Sequence, residues 1–178
     1  LGTAAGMLNE TPDVFKSRDE IIAAVRDAGL PEYTREGLWL DEGVRAVLEK
    51  LETMGATNDT CFVFTTDHPT AGKETCNLGR IPLIIRWPGK IKPGTFSDCL
   101  IAETDLASTI LDIAGCQIPA DMRLDGSSFK KLLMDESPQF SRENVLLEVV
   151  NSRGIVSGKW KYIANRLPDE LKATVDLP

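Results

Sequence analysis

A short apolar stretch, TCFVFT from Thr60 to Thr65, ends two residues before Asp67. His68 follows and is the only histidine of the chain. Its length and composition are typical of a buried strand in a parallel sheet, which needs a covering layer on each face. Residues 40–55 precede it, with apolar side chains at helical spacing, and a short turn joins the two. Helix, turn and strand in this order predict an α/β fold.

The remaining patterns divide the chain into two parts. Helix and strand patterns alternate up to about residue 137, and short strand-like runs separated by Gly and Asn follow from Glu143. We therefore predict an α/β part over residues 1–137 and a small, antiparallel, β-rich subdomain over residues 138–178. The expected helices lie in residues 17–29, 40–55, 104–115 and 127–134, and the expected strands in 60–65, 81–89, 144–150, 153–158 and 159–165.

Charge and composition limit the partners of this chain. The net charge is −7 over 178 residues, which argues against nucleic acid or an anionic membrane surface as the main partner. No apolar run approaches the roughly 18 residues that a membrane-spanning helix needs. We therefore predict neither nucleic-acid nor membrane binding, and the sequence gives no indication of localisation.

Several noticeable residues have ordinary structural interpretations. The cysteines form no C-x-x-C pair, which disfavours a zinc finger. Cys61 and Cys99 stand in apolar runs and are interpreted as buried thiols, and Asp105 is interpreted as a helix cap. The tryptophans, interpreted as packing residues, are Trp39, Trp87 and Trp160.

Three residues that follow the first strand could carry chemistry. Ligands of open α/β sheets bind beyond the carboxyl ends of the strands, where Asp67 and His68 stand. A carboxylate and an imidazole can coordinate a divalent cation, and the ammonium group of Lys73 suits an oxygen of sulfate or phosphate. The same residues could equally be a loop cap, a solvated histidine and a surface charge. Taken alone, they leave both interpretations open.

Six segments, in order, resemble sequence patterns of the sulfatase family, within the alkaline-phosphatase-like superfamily. The most distinctive is RIPLIIRWPGKIKPGT, residues 80–95, which is similar to the family pattern R-V-P-x-I-x-x-W-P-G-x-I-x-x-G. The stretch that ends in TTDH resembles the segment that closes with SDHG or SDNG, and GKETC resembles the GK-x-T loop. The other similar segments are ETDLASTILDIAGCQIP, LDGSSFKKLL and RGIVSGKWKYI.

This resemblance implies a fold and particular site residues. The fold is a sulfatase-like α/β sheet with flanking helices, followed by the small antiparallel subdomain. Asp67 and His68 fall on paired metal ligands, which hold a divalent metal, calcium, in this family. Lys73 falls on a lysine that binds the sulfate group and assists the leaving group, so Lys73 and His68 are the implied catalytic residues. Pro69 stands where the family has glycine.

The family's nucleophile is a hydrated formylglycine, made from the first residue of C/S-x-P-S-R. No such motif occurs in the 178 residues. The start of this chain resembles the middle of a sulfatase, so we expect the formylglycine in a missing N-terminal part. The chain alone is then expected to be inactive, and to be oligomeric or paired with that missing half.

The implied function is hydrolysis of a small-molecule or glycan sulfate ester. Two alternatives stay open at this point. One is a related metal-dependent phosphohydrolase or phosphonate hydrolase, because an Asp-His pair also serves phosphate chemistry. The other is a non-catalytic fragment or interaction domain that keeps half of the fold.

Overall fold

The structure is a computed structural model that describes residues 18–68, 80–134, 140, 142–149, 151–166 and 168–169. Its contacts divide the chain into two compact units, residues 1–60 and 61–178. The division predicted at residue 137 stays a prediction. None of the helices in the described ranges is long and apolar enough to span a membrane.

The described elements follow the predicted order of helices and strands. The helices are α1 (Arg18–Asp27), α2 (Arg35–Thr53), α3 (Thr104–Ile113) and α4 (Lys130–Leu133). The strands are β1 (Phe62–Thr65), β2 (Leu83–Arg86), β3 (Asn144–Val149), β4 (Ser152–Ser157) and β5 (Trp160–Asn165).

The first unit is a pair of helices. Ile21 and Val25 lie four residues apart on one face of α1 and are buried, as expected for side chains one helical turn apart. The chain leaves α1 through Gly29, whose φ of 66° suits glycine. α2 begins at Arg35, earlier than the predicted start at residue 40, and contacts α1.

The second unit begins with a two-stranded sheet in which β1 pairs antiparallel with β2. The prediction of a fully buried strand in a parallel sheet is therefore wrong for β1, which is half-buried along its length. β2 alternates between half-buried and exposed residues, and Ile84 is 59% exposed. Such alternation is typical of an antiparallel pair with one covered face. An apolar run indicates that a strand is shielded, but it does not encode the direction of the neighbouring strand.

The second sheet of this unit is an antiparallel meander in the order β3-β4-β5, which confirms the predicted strand-rich C-terminal part. Ser157 pairs with Trp160 across a two-residue turn that contains Gly158, and the φ of Gly158 is 54°, as tight hairpin turns require. Val145, Ser152 and Gly154 are buried on this sheet. Trp160 is 74% exposed, so its interpretation as a packing residue is wrong.

The carboxylate of Asp105 binds three groups in the described part of the second unit. This side chain is fully buried. Its Oδ2 accepts the backbone N–H of Ala102, which precedes the helix, at 2.8 Å. The N-cap of α3 is Glu103 and has no side-chain cap hydrogen bond, so the interpretation of Asp105 as the cap is wrong. Its Oδ1 accepts the backbone N–H of Ser127 at 2.8 Å and also the guanidinium of Arg142. One carboxylate thus joins the start of α3 to two later segments.

A second set of bonds holds α3 against the segment before α4. The Ser108 hydroxyl donates to the carbonyl of Gly126 at 2.8 Å. The Thr109 hydroxyl donates to the carbonyl of Asp105 at 2.7 Å and accepts the N–H of Phe129 at 3.1 Å. Phe129 is itself fully buried. These bonds satisfy buried polar groups that would otherwise destabilise the fold.

Cys61 and Cys99, both predicted to be buried thiols, differ in their exposure. Cys61 is half-buried, whereas Cys99 is exposed, so the interpretation of Cys99 as a buried thiol is wrong. The Cys99 sulfur lies 3.6 Å from the carbonyl oxygen of Phe140. The Phe140 ring meets that of Phe129 edge to face, with 6.1 Å between centroids.

We expect Asp105→Ala to lower the free energy of unfolding by about 3 kcal/mol, because it leaves the mostly buried Arg142 charge unpaired. Urea denaturation measures this loss. Asp112→Ala is the matched control, because it removes an exposed carboxylate that pairs with Lys130 at 3.2 Å, and it should shift the midpoint much less. Equal midpoints for the two variants would contradict the role of Asp105.

Gly126→Ala should destabilise the protein by about 1–3 kcal/mol. A Cβ atom at Gly126 would lie 2.1 Å from the carbonyl oxygen of Thr104, which is backbone and cannot rotate away. Gly43→Ala in α2 is the control, since a Cβ there meets nothing within 4 Å and alanine favours helix by about 0.5–1 kcal/mol. Thermal denaturation should show opposite changes in Tm, and a rise in Tm for Gly126→Ala would refute this packing.

Candidate functional site

Asp67 and His68 follow β1 directly, as predicted. The carboxylate of Asp67 is exposed and His68 is partly buried. The Thr66 hydroxyl lies 3.4 Å from Asp67 Oδ1 and 3.5 Å from the carbonyl oxygen of His68. These bonds are long and therefore weak, so they occupy little of the acceptor capacity of the carboxylate.

The register of the first sheet indicates what stands near this pair. Thr65 pairs with Leu83, so the end of β1 lies beside the start of β2. Residues 80–82 lead into β2, which begins at Leu83. Arg80 therefore approaches the same end of the sheet as Asp67. This end of the sheet combines an acid and an imidazole after β1 with the guanidinium-bearing Arg80 before β2.

Lys73 lies outside the described residues, so the predicted grouping of Lys73 with Asp67 and His68 stays a prediction. Among the residues that the structure describes, no three acidic, histidine or cysteine side chains come together as a metal-binding group. Asp67 and His68 nevertheless offer oxygen and nitrogen donors that suit a divalent cation. Calcium takes six to eight oxygen ligands, so the carboxylate of Asp67 fits part of such a site and other groups must complete it. The imidazole nitrogen of His68 is a donor that suits zinc better than calcium.

Cys61 stands at the opposite end of β1 from Asp67. Burial raises the pKa of its thiol. A thiol with a raised pKa stays protonated at neutral pH and is a poor nucleophile. This environment argues against a catalytic role for Cys61.

A second feature of the same unit was not predicted. A cavity of about 250 Å³ is lined by the segment before α4 and by the approach to β3. It shares Arg142 with the network around Asp105. The sequence carried only a weak signal for it, a charged and polar run, Arg-Glu-Asn, directly before a strand pattern. The lining residues are Ser127, Phe140, Arg142, Glu143 and Asn144.

Comparisons with known proteins agree with this description. A family model described as sulfatase matches residues 8–116, and one described as the C-terminal part of N-sulphoglucosamine sulphohydrolase matches residues 77–165. An ulvan-active sulfatase from Formosa agariphila is 37% identical over 130 residues, which are 67% of this chain and 26% of the relative.

Two solved structures have similar folds. A protein in complex with its substrate D-glucosamine-2-N,6-O-disulfate has a TM-score of 0.62 and 25% identity, over 86% of this chain and 39% of that protein. A phosphonate monoester hydrolase from Silicibacter pomeroyi has a TM-score of 0.66 and 25% identity, over 92% of this chain and 37% of that protein. The predicted α/β fold with a β-rich C-terminal part is thereby confirmed.

The chain spans about a quarter of the length of the curated relative described above. Within that span, the motifs of residues 40–95 fall inside the longer family match, and the meander falls inside the other. The match to the sulfatase model alone covers more than half of the chain. The chain therefore belongs to the sulfatase family.

Proposed function

We propose that this chain is the C-terminal part of a sulfatase that, when complete, hydrolyses sulfate esters of a glycan with the aid of a divalent cation, calcium. The observation that carries this proposal is the position of Asp67 and His68, adjacent to each other just after β1, with the Asp67 side chain exposed. Both lie within the part of the chain that matches the sulfatase family model.

In this proposal Asp67 and His68 hold the cation. A bound divalent cation would neutralise charge on the sulfate oxygens. The exposed carboxylate of Asp67 supplies an anionic oxygen ligand, and the partly buried imidazole of His68 supplies a nitrogen ligand. Lys73 binds a sulfate oxygen and stabilises the departing ester oxygen, since its ammonium is a flexible point charge.

The nucleophile belongs to residues outside these 178. No Cys or Ser of the chain stands in C/S-x-P-S-R, and the environment of Cys61 disfavours a thiolate. We therefore assign the formylglycine of the reaction to another part of the protein. This chain contributes cation ligands, substrate orientation and charge stabilisation.

The substrate class that best fits the relatives is a sulfated glycan that contains glucosamine. Residues 77–165 match the C-terminal part of N-sulphoglucosamine sulphohydrolase, and one structural neighbour binds a glucosamine disulfate as its substrate. Both observations support an amino-sugar sulfate over an unrelated alkyl or aryl sulfate.

A phosphonate or phosphate monoester is the second candidate substrate. It is favoured by the similarity to a phosphonate monoester hydrolase, which extends over 92% of this chain. The cation ligands and the lysine proposed here would serve a phosphorus oxyanion as well as a sulfate. The distinction must therefore come from measured rates.

In the complete protein, Asp67→Asn should lower kcat by more than about a hundredfold, because it removes the negative charge of a ligand to the cation. Mutation of a residue that only orients a metal ligand already lowers metal affinity or activity by about 10–100-fold. Lys73→Ala should only slow the reaction, by about a hundredfold or less. Turnover of a sulfated glucosamine and calcium content by elemental analysis measure the two effects.

Asp98→Asn is the control for Asp67→Asn, because Asp98 is also exposed and lies in the same unit. It should leave rate and calcium content unchanged. Normal calcium content and a normal rate in Asp67→Asn would remove Asp67 from the proposed cation site.

The complete protein should hydrolyse an aryl sulfate with a higher kcat/KM than the matching aryl phosphate and aryl phosphonate. The 178-residue chain alone should hydrolyse none of them, because the nucleophile lies outside it. A preference for either phosphorus ester would favour the second candidate. Turnover by the isolated chain would contradict the assignment of the nucleophile, and no turnover by the complete protein would contradict an enzymatic role.

A further inference from the structure

Arg80 carries an exposed guanidinium three residues before β2. In the part of the chain that the structure describes, this group forms neither a hydrogen bond nor an ion pair. Arg45, Arg142 and Arg153, by contrast, each pair with a carboxylate. The five N–H donors of the Arg80 guanidinium are therefore available to a ligand.

The backbone before β2 gives the Arg80 side chain a defined direction. Exposed and half-buried residues alternate without interruption from Arg80 to Arg86, which is the period of a strand. Pro82 has a fixed φ and restricts the residue before it, Ile81, to extended conformations. The extended geometry of β2 thus continues back to Arg80, whose side chain lies on the exposed face of this stretch with Pro82 and Ile84.

Arg80 and Asp67 carry opposite charges at the same end of the first sheet. Thr65 pairs with Leu83, so the chain leaves β1 beside the point where it enters β2, and it bends at Asp67. Both charged side chains are exposed, yet within the described residues they form no ion pair with each other. Neither charge is neutralised by the other, so this end of the sheet presents separate sites for a cation and for an anion.

The anion that Arg80 binds best is not the group that reacts. The proposed function assigns the reacting sulfate to a cation at Asp67 and His68 and to the ammonium of Lys73. A divalent cation repels a guanidinium, so Arg80 gains least from oxygens that the cation already binds. It gains more from a second anionic group on the same substrate, to which arginine can donate two parallel N–H bonds.

We infer that Arg80 determines specificity by binding a second sulfate group of the substrate, one that is not hydrolysed. This inference rests on the proposed function and deepens it, because it selects substrates with two sulfate groups over those with one. Pro82 adds apolar surface beside the guanidinium. The sugar ring that carries the second sulfate can contact this surface, whereas a free sulfate ion cannot.

Steady-state kinetics of the complete protein test this inference. The substrates are glucosamine-2-N,6-O-disulfate and whichever of its two monosulfates the protein hydrolyses faster. Arg80→Gln should raise KM for the disulfate about tenfold more than KM for the monosulfate, because it removes charge-assisted hydrogen bonds to the second sulfate. The effect on kcat should be much smaller, since that group does not react. Arg80→Lys should lie between, because lysine keeps the charge without the fork.

Arg86→Gln is the matched control. Arg86 is also exposed and lies on the same face of β2, but it pairs with Phe62 at the other end of the sheet. This variant removes the same charge and the same kind of side chain far from Asp67. It should leave the ratio of the two KM values as it is in the unmodified protein.

An equal rise in KM for both substrates would place Arg80 on the reacting sulfate and overturn the inference. An unchanged KM for the disulfate in Arg80→Gln would also overturn it, as would an equal change of the ratio in Arg86→Gln. If the complete protein hydrolyses neither sulfate, the proposed function fails. Calorimetric titration of the disulfate into the complete protein then tests Arg80 separately, and binding that Arg80→Gln does not weaken would refute its role.

Discussion

The buried carboxylate of Asp105 holds together segments that lie far apart in the sequence. It binds Ser127, 22 residues later, and Arg142, 37 residues later, and it also accepts the N–H of Ala102 just before α3. Ser127 and Arg142 line the cavity next to the meander. The position of the cavity walls therefore depends on one buried carboxylate, and the bonds of Thr109 and Ser108 keep that group in position.

The sequence predicted the elements whose signals are local. Periodic apolar residues indicated α1, α2 and α3, and the Gly and Asn positions after Glu143 indicated a meander. It did not predict that β1 pairs antiparallel with β2, because an apolar run carries no information about the direction of its partner. Asp105 was interpreted only as a helix cap, and its actual role was missed for a similar reason, since the contact with Arg142 depends on tertiary structure.

The residues of the candidate site also differ in whether their positions could be predicted from the local sequence. The position of Asp67 and His68 after a strand is a local property, and it could be predicted from neighbouring residues. The cavity at Arg142 and Asn144 could not, because its walls come from separate parts of the chain. Lys73 and the nucleophile remain assignments by resemblance, and the chain spans only 26% of the curated relative compared above. The family is established, whereas the complete reaction is a proposal.

The connectivity of the meander also bears on how the protein acquires its structure. Adjacent strands join through short connections such as the turn at Gly158, so their pairing costs little loop-closure entropy. The contact between Asp105 and Arg142 closes a much longer loop and is slower to form. The meander is therefore built mainly from local contacts, whereas the ion pair of Arg142 with Asp105 joins it to α3 across 37 residues.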